Sequence, residues 1–128
     1  MLLISCKREE SPAVIQARAA VVMAESDLRQ AQAEAAAAEG SLASAQASLA
    51  MTPRPSSQVR TDNLTTYQER QAAVERTRVA LLNYSNLSYT VRQASETARF
   101  LRSKVGEKET ALARARAALE ATIAAARG

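Results

Sequence analysis

The chain has 128 residues; Ala supplies much of its apolar fraction, whereas Phe occurs once, Tyr three times and Trp never. Large side chains contribute most of the transfer free energy of a core, about 1.5–3 kcal/mol each, so a globular core of normal depth is excluded. The 17 basic and 13 acidic side chains leave a net charge of +4 without any His, which removes His ligands and His bases. A single Cys cannot form an internal disulfide.

Residues 1–11 form an N-terminal tail that differs in composition from the rest of the sequence. A short apolar run precedes Cys6, and charged residues follow it. Ser11 and Pro12 then indicate the start of a helix, because Ser accepts a hydrogen bond from a free amide and Pro fits the first helical position.

The first predicted helix covers residues 12–50 and carries one narrow apolar stripe. Its positions alternate three and four residues apart, which is the spacing of a coiled-coil seam. Every second position is Ala, so an antiparallel partner helix can approach closely. The stripe consists of Val14, Ala17, Val21, Ala24, Leu28, Ala31, Ala35, Ala38, Leu42, Ala45 and Leu49.

Residues 51–62 form the predicted loop, since Pro53 and Pro55 cannot continue a helix. The second helix is predicted over residues 63–127. Asp62 or Asn63 can cap it, and Thr66 with Glu69 has the spacing of a capping box.

The second helix again carries a seam with spacings of four and three, in which Lys108 is the one charged residue. An adjacent apolar stripe lies upstream at Tyr67, Val74 and Leu81. The seam consists of Ala80, Tyr84, Leu87, Val91, Ala94, Ala98, Leu101, Val105, Lys108, Leu112, Ala115, Leu119, Thr122 and Ala126.

The predicted fold is therefore all-α, with residues 12–128 forming an elongated, antiparallel, Ala-rich coiled-coil hairpin. Residues 83–90 are rich in Asn, Ser and Thr, which compete for backbone hydrogen bonds, and Gly106 is a second weak point. A break near 83–90 would instead give a three-helix bundle, and this alternative stays open at the level of the sequence.

The charge distribution also favours pairing within the chain. Residues 12–51 carry two basic and four acidic side chains, a net of −2, whereas residues 52–128 carry thirteen basic and seven acidic ones, a net of +6. The basic residues are dispersed, while a nucleic-acid footprint gathers them on one face with aromatic groups. Binding to nucleic acid is therefore the weaker alternative.

The unequal helix lengths predict self-association or a partner helix. If pairing runs outward from the loop, residues 104–127 have no cover within the chain. The apolar side chains left exposed would be Val105, Leu112, Leu119 and Ile123.

Two further groups of residues are candidate contact sites on the second helix. Tyr89 and Phe100 lie off its main seam. The basic residues Arg92, Arg99 and Arg102 fall on one side, where they could meet phosphate or an anionic lipid surface. The alternative is a solvated face that is paired with nearby Glu residues.

Leu3-Ile4-Ser5-Cys6 resembles the lipobox of bacterial lipoproteins, with Leu at −3, a small residue at −1 and then the Cys that receives lipid. The resemblance implies a lipid-anchor segment in the tail, a lipid on Cys6 and a place in the bacterial cell envelope or periplasm. Only five residues precede Cys6, whereas a secretory signal has about 7–15 apolar residues. The alternative is an ordinary exposed thiol or an intermolecular disulfide.

The segment QAQAEAAAAEGSLASAQASL is similar in composition to the α-helical hairpins of bacterial periplasmic adaptor proteins. The similarity is one of composition. It agrees with the expected coiled-coil hairpin and assigns no partner.

The sequence contains no pattern typical of a catalytic, cofactor-binding or metal-binding site. We therefore expect a protein that is not an enzyme and that binds neither a cofactor nor a small-molecule substrate. The predicted function is a structural or interaction coiled coil, tethered to the cell envelope if Cys6 carries lipid. The alternative is a soluble self-assembling scaffold, filament or phage-type subunit, which would be cytoplasmic or virion-associated.

Overall fold

The computed structural model describes residues 10–56 and 66–128, which form two α-helices and no strand. Helix α1 spans Pro12–Met51 and α2 spans Tyr67–Arg127. The two helices pack against each other as an antiparallel hairpin. The all-α hairpin predicted from the sequence is thereby confirmed.

Helix α1 begins where the sequence predicts, at a Ser-Pro pair. The backbone N–H of Val14 donates to the Ser11 hydroxyl oxygen at 3.3 Å, and the N–H of Ile15 donates to the Ser11 carbonyl at 3.1 Å. Ser11 thus satisfies amides of the first turn that have no partner inside the helix. The helix ends one residue beyond the predicted 12–50, at Met51.

The α1 seam behaves as its spacing predicts. All eleven seam residues are buried or half-buried, and every other residue of the helix is exposed except the half-buried Glu25 and Glu39. The most deeply buried members are Val14, Val21, Ala31 and Ala35. One narrow face of α1 therefore makes the interhelical contact, as in a coiled coil.

Helix α2 begins at Tyr67, four residues later than predicted, and Thr66 caps it. The N–H of Glu69 donates to the Thr66 hydroxyl oxygen at 3.1 Å, and the N–H of Arg70 donates to the Thr66 carbonyl at 3.1 Å. The first of these is the hydrogen bond that the Thr66–Glu69 spacing predicts.

Helix α2 continues without a break through residues 83–90 and through Gly106, so the three-helix alternative is wrong. In the Asn- and Ser-rich stretch, the Thr90 hydroxyl donates to the Asn86 carbonyl at 2.9 Å. Hydroxyls elsewhere on α2 bond the carbonyl four residues earlier in the same way, which satisfies them inside the helix. These donors are Thr77, Thr110 and Thr122.

The α2 seam is buried or half-buried from Tyr84 to Thr122, with Ala98 and Leu112 the most buried members. Its two end members, Ala80 and Ala126, are exposed. The side chains that the spacing assigned to the seam thus make the contact over most of its length, including the half-buried Lys108.

The contacts divide the chain into two compact units. The first comprises Met1–Ala35 with Phe100–Gly128, and the second comprises Ala36–Arg99. In the first unit the early part of α1 packs on the late part of α2: Glu25 lies 3.6 Å from Arg116. Val14 lines one groove together with Ile123 and Ala126.

This register corrects the expectation that residues 104–127 lack cover within the chain. Pairing does not run outward from the loop; the first residues of α1 lie against the last residues of α2. The segment from Thr52 to Thr66 is long enough to permit this offset, because an extended chain advances about 3.3 Å per residue. Leu112 is buried, while Val105, Leu119 and Ile123 are half-buried.

We expect Leu112→Ala to lower the free energy of unfolding by about 2 kcal/mol or more, because it removes a buried side chain and leaves a cavity at the seam. The matched control is Val22→Ala on α1, where the side chain is 60% exposed and the expected change is within about 0.5 kcal/mol. Urea unfolding followed by circular dichroism measures both. Equal losses in the two variants would contradict the burial of Leu112 at this seam.

Candidate interaction surface

The first unit contains a groove between the helices in which side chains of opposite charge meet. Asp27, Gln30 and Glu34 of α1 line this groove together with Lys104 and Lys108 of α2. On α1 itself, the Gln30 amide donates to the Glu34 carboxylate at 3.3 Å. Two acidic and two basic side chains thus line the same groove, so their charges favour the packing of these parts of the two helices.

The surroundings of Lys108 show how the α2 seam accommodates a charged residue. It lines the groove together with Ala31, one of the most buried residues of α1. The small side chain of Ala31 leaves room for the half-buried Lys108, whose long aliphatic part can be covered while its charge stays in contact with water.

The second unit is built from unequal lengths of the two helices. Helix α1 contributes residues 36–51, whereas α2 contributes residues 67–99. The α1 part carries the half-buried Ala38, Leu42, Ala45 and Leu49. On α2 the seam is buried or half-buried only from Tyr84 onward, so the residues before it have far less cover.

Residues 67–83 are the least covered part of the second unit. Among them only Ala73 is buried and only Thr77 is half-buried. Tyr67 is 74% exposed, Val74 45% and Leu81 37%. Val79 and Leu82 are exposed as well, so this length of helix presents large apolar side chains to solvent.

Tyr67, Val74 and Leu81, which we call the outer stripe, follow one another at intervals of seven residues. Val74 and Leu81 directly follow Ala73 and Ala80, the residues that continue the seam. Because successive residues of an α-helix are rotated by about 100°, the outer stripe faces roughly a quarter of a turn away from the seam. It is therefore a separate apolar surface and not the edge of the contact with α1.

A charge pair lies beside the outer stripe. The Arg78 guanidinium donates to the Glu75 carboxylate through Nε at 3.1 Å and through a second nitrogen. These hydrogen bonds lower the pKa of Glu75 below its usual value and raise that of Arg78. Both groups are therefore ionised near neutral pH, and each compensates the charge of the other on the helix surface.

The candidate self-association residues Val105, Leu112, Leu119 and Ile123 belong to the contact between the two helices in the first unit. The reason for assigning them to another chain therefore fails. Tyr89 and Phe100 are about 60% exposed, and the Phe100 ring lies 5.5 Å from the Lys104 ammonium. The basic candidates Arg92, Arg99 and Arg102 are exposed as well.

Residues 10–56 and 66–128 were also compared with the requirements of a metal site and of a membrane-spanning helix. No group of three or more His, Cys, Asp or Glu side chains in these ranges could hold a metal ion. Neither described helix contains a stretch that is apolar and long enough to cross a membrane. The lipidation candidate Cys6 lies outside the described residues.

The outer stripe is recognisable in the sequence, but its exposure depends on the register in which the two helices pair. Tyr67, Val74 and Leu81 are recognisable by their spacing, yet spacing does not say which end of α2 lies beyond α1. With the start of α1 placed against the end of α2, the excess length falls at the N-terminal end of α2.

Comparison with family models, curated proteins and solved structures found no match to this chain.

We expect a charge-exchange cycle at Glu25 and Arg116 to detect their proximity. Glu25→Lys and Arg116→Glu should each destabilise the hairpin, and the double variant should recover about 0.2–1 kcal/mol, the coupling of partly exposed ion pairs. Urea unfolding at low salt measures the recovery. Combining Glu25→Lys with Arg114→Glu is the control, and an equal recovery there would contradict the pairing.

Proposed function

We propose that this chain is a non-enzymatic interaction module: a helical hairpin that holds one length of helix ready to bind another helix. The observation that carries the proposal is the contrast within α2. From Tyr84 onward its seam is covered, whereas residues 67–83 present the exposed outer stripe. An exposed apolar surface of this kind on a regular helix is typical of a docking site.

The stability of the helix supports the same proposal. An isolated helix shorter than about 12–15 residues is marginal in water, and residues 67–83 exceed that length only slightly. They continue directly into the packed part of α2, which spares them the cost of nucleation. The hairpin thus presents an already ordered helix, and a partner that binds it loses little conformational entropy.

The proposal is tested by crosslinking from the outer stripe in living cells. A photoreactive amino acid at position 67, 74 or 81 of the full chain should give a discrete crosslinked product, because each side chain would lie against the partner. The same amino acid at position 107 or 114, on an exposed polar part of α2, serves as the control. Mass spectrometry identifies the product.

Absence of any product specific to the outer stripe, in cells where the chain is folded and abundant, would refute the interaction module. A product of any identity that depends on positions 67, 74 and 81 supports it. The partner can be another protein or a second copy, and mass spectrometry distinguishes the two.

The order Leu3-Ile4-Ser5-Cys6 supports a second proposal, that this module is tethered to a bacterial membrane by lipid on Cys6. A single acyl chain binds membranes only weakly, so stable tethering needs more than one chain or an additional contact. A soluble scaffold is the alternative.

We expect the chain, expressed in bacteria from its complete reading frame, to gain the mass of a lipid and to enter the detergent phase on Triton X-114 partition. Cys6→Ser should abolish both properties, because it removes the acceptor sulfur. Ser5→Ala keeps a small residue before the cysteine and should retain them. An unmodified wild-type chain that stays in the aqueous phase would favour the soluble scaffold.

A further inference from the structure

We propose that the hairpin has a second register, in which α1 lies one heptad further toward the N-terminal end of α2, and that charged side chains beside the seam select between the two. The two registers follow from the seam and the charges of the first unit. Their meaning for binding rests on the proposed interaction module, because the register sets how much of α2 extends beyond α1.

Two grooves of the first unit define the observed register. Val14 lines one of them together with Ala126, and Ala31 lines the other together with Lys108. Seam residues of two antiparallel helices follow one another at the same spacing on both helices, so the layers between these grooves can be assigned. They pair Val21 with Leu119, Ala24 with Ala115 and Leu28 with Leu112.

The apolar seam also fits the shifted register. The contact that is lost is that of Val14 with Ile123 at the end of α2. A shift in the opposite direction would place Leu112 against Ala35 and so pair fewer large side chains. In the proposed direction, large side chains face one another in three successive layers, namely Val14 with Leu119, Val21 with Leu112 and Leu28 with Val105.

The pair formed by Glu25 and Arg116 favours the observed register. Their carboxylate and guanidinium lie 3.6 Å apart. Arg18 precedes Glu25 by one heptad, so the shift would bring Arg18 to the position that Glu25 now occupies beside Arg116. An attraction would then be replaced by a repulsion between two guanidinium groups.

The acidic neighbours of Lys108 favour the same register. Asp27 and Glu34 line its groove, and they lie four residues before and three residues after Ala31. In the shifted register Ala24 takes the place of Ala31, and Asp27 takes the place of Glu34. The position four residues before Ala24 is again an alanine, so Lys108 keeps one of its two acidic neighbours.

The register changes the length of α2 that extends beyond α1. Because α1 is one helix from Pro12 to Met51, the shift carries its end about 10 Å along α2, at about 1.5 Å per residue. The uncovered stretch within residues 67–83 becomes shorter by one heptad. Charges beside the seam thus control how much helix the proposed module offers to a partner.

A competition between two disulfides measures the register. The reporter chain carries Cys6→Ser together with Ala17→Cys, Ala24→Cys and Ala115→Cys, at three half-buried positions of the seams. Position 115 lies level with position 24 in the observed register and with position 17 in the shifted one. The chain is equilibrated in a glutathione redox buffer, and mass spectrometry of the digested monomer gives the ratio of the 17–115 to the 24–115 disulfide.

Exchanging two charges on α1 should move the reporter chain to the shifted register. With Arg18→Glu and Glu25→Arg, position 25 repels Arg116 and position 18 attracts it. We expect the ratio of the 17–115 to the 24–115 disulfide to rise at least about fivefold, since several partly exposed charge interactions change sign together. All chains carry Glu10→Gln, because Glu10 pairs with Arg18.

The matched control adds Arg116→Glu to the exchange variant. This substitution reverses both interactions, so the ratio should return to that of the reporter chain. Circular dichroism verifies that all three chains keep the same helix content.

An exchange variant that forms only the 24–115 disulfide would exclude the second register. Equal ratios in the exchange variant and its control would show that charge does not select the register, and a folded reporter chain that forms neither disulfide would contradict the assigned layers. Each of these results overturns the inference. The cellular crosslinks from positions 67, 74 and 81 are a separate measurement, so the module can fail while the disulfide ratio responds as expected, and the reverse.

Discussion

The packing of a narrow, Ala-rich seam is the constraint on which the rest of this structure depends. Five of the eleven α1 seam residues are alanines at alternating positions, and each leaves space that a larger α2 side chain can occupy. Ala31 and Lys108 show the effect most clearly, because the small residue lets a lysine lie within the seam. Burial of an Ala side chain contributes little transfer free energy. The hairpin therefore gains its stability from the length of the seam.

This kind of seam specifies that two helices pair, but it says less about which residues face each other. A sliding shift by one heptad would place apolar residues against apolar residues again. Single features that occur once along the seam therefore favour one register over the others. Lys108 with the carboxylates of Asp27 and Glu34 is one, and Glu25 with Arg116 is another. Exposed ion pairs contribute little stability, yet they discriminate between registers that are otherwise alike.

The same distinction explains what the sequence could and could not predict. The α1 seam, the Ser11 cap and the Thr66 cap depend on local spacing and hydrogen bonding, and each is found at the predicted residues. The sequence left open whether α2 continues through residues 83–90. Helix propensity is a weak guide there, because tertiary packing overrides it. The cover of residues 104–127 was predicted wrongly because it depends on the register between distant segments.

The surplus length of α2 connects the fold to the proposed function. A hairpin that only needed to be stable would match its two helices, whereas here the second unit pairs residues 36–51 with a longer stretch of α2. The surplus carries charged residues, but it also carries Tyr67, Val74 and Leu81 at heptad spacing, exposed to solvent. Exposed apolar side chains of this size lower solubility, and the described part of α1 does not cover them. This surface is the reason for the proposal that the hairpin binds another helix through residues 67–83.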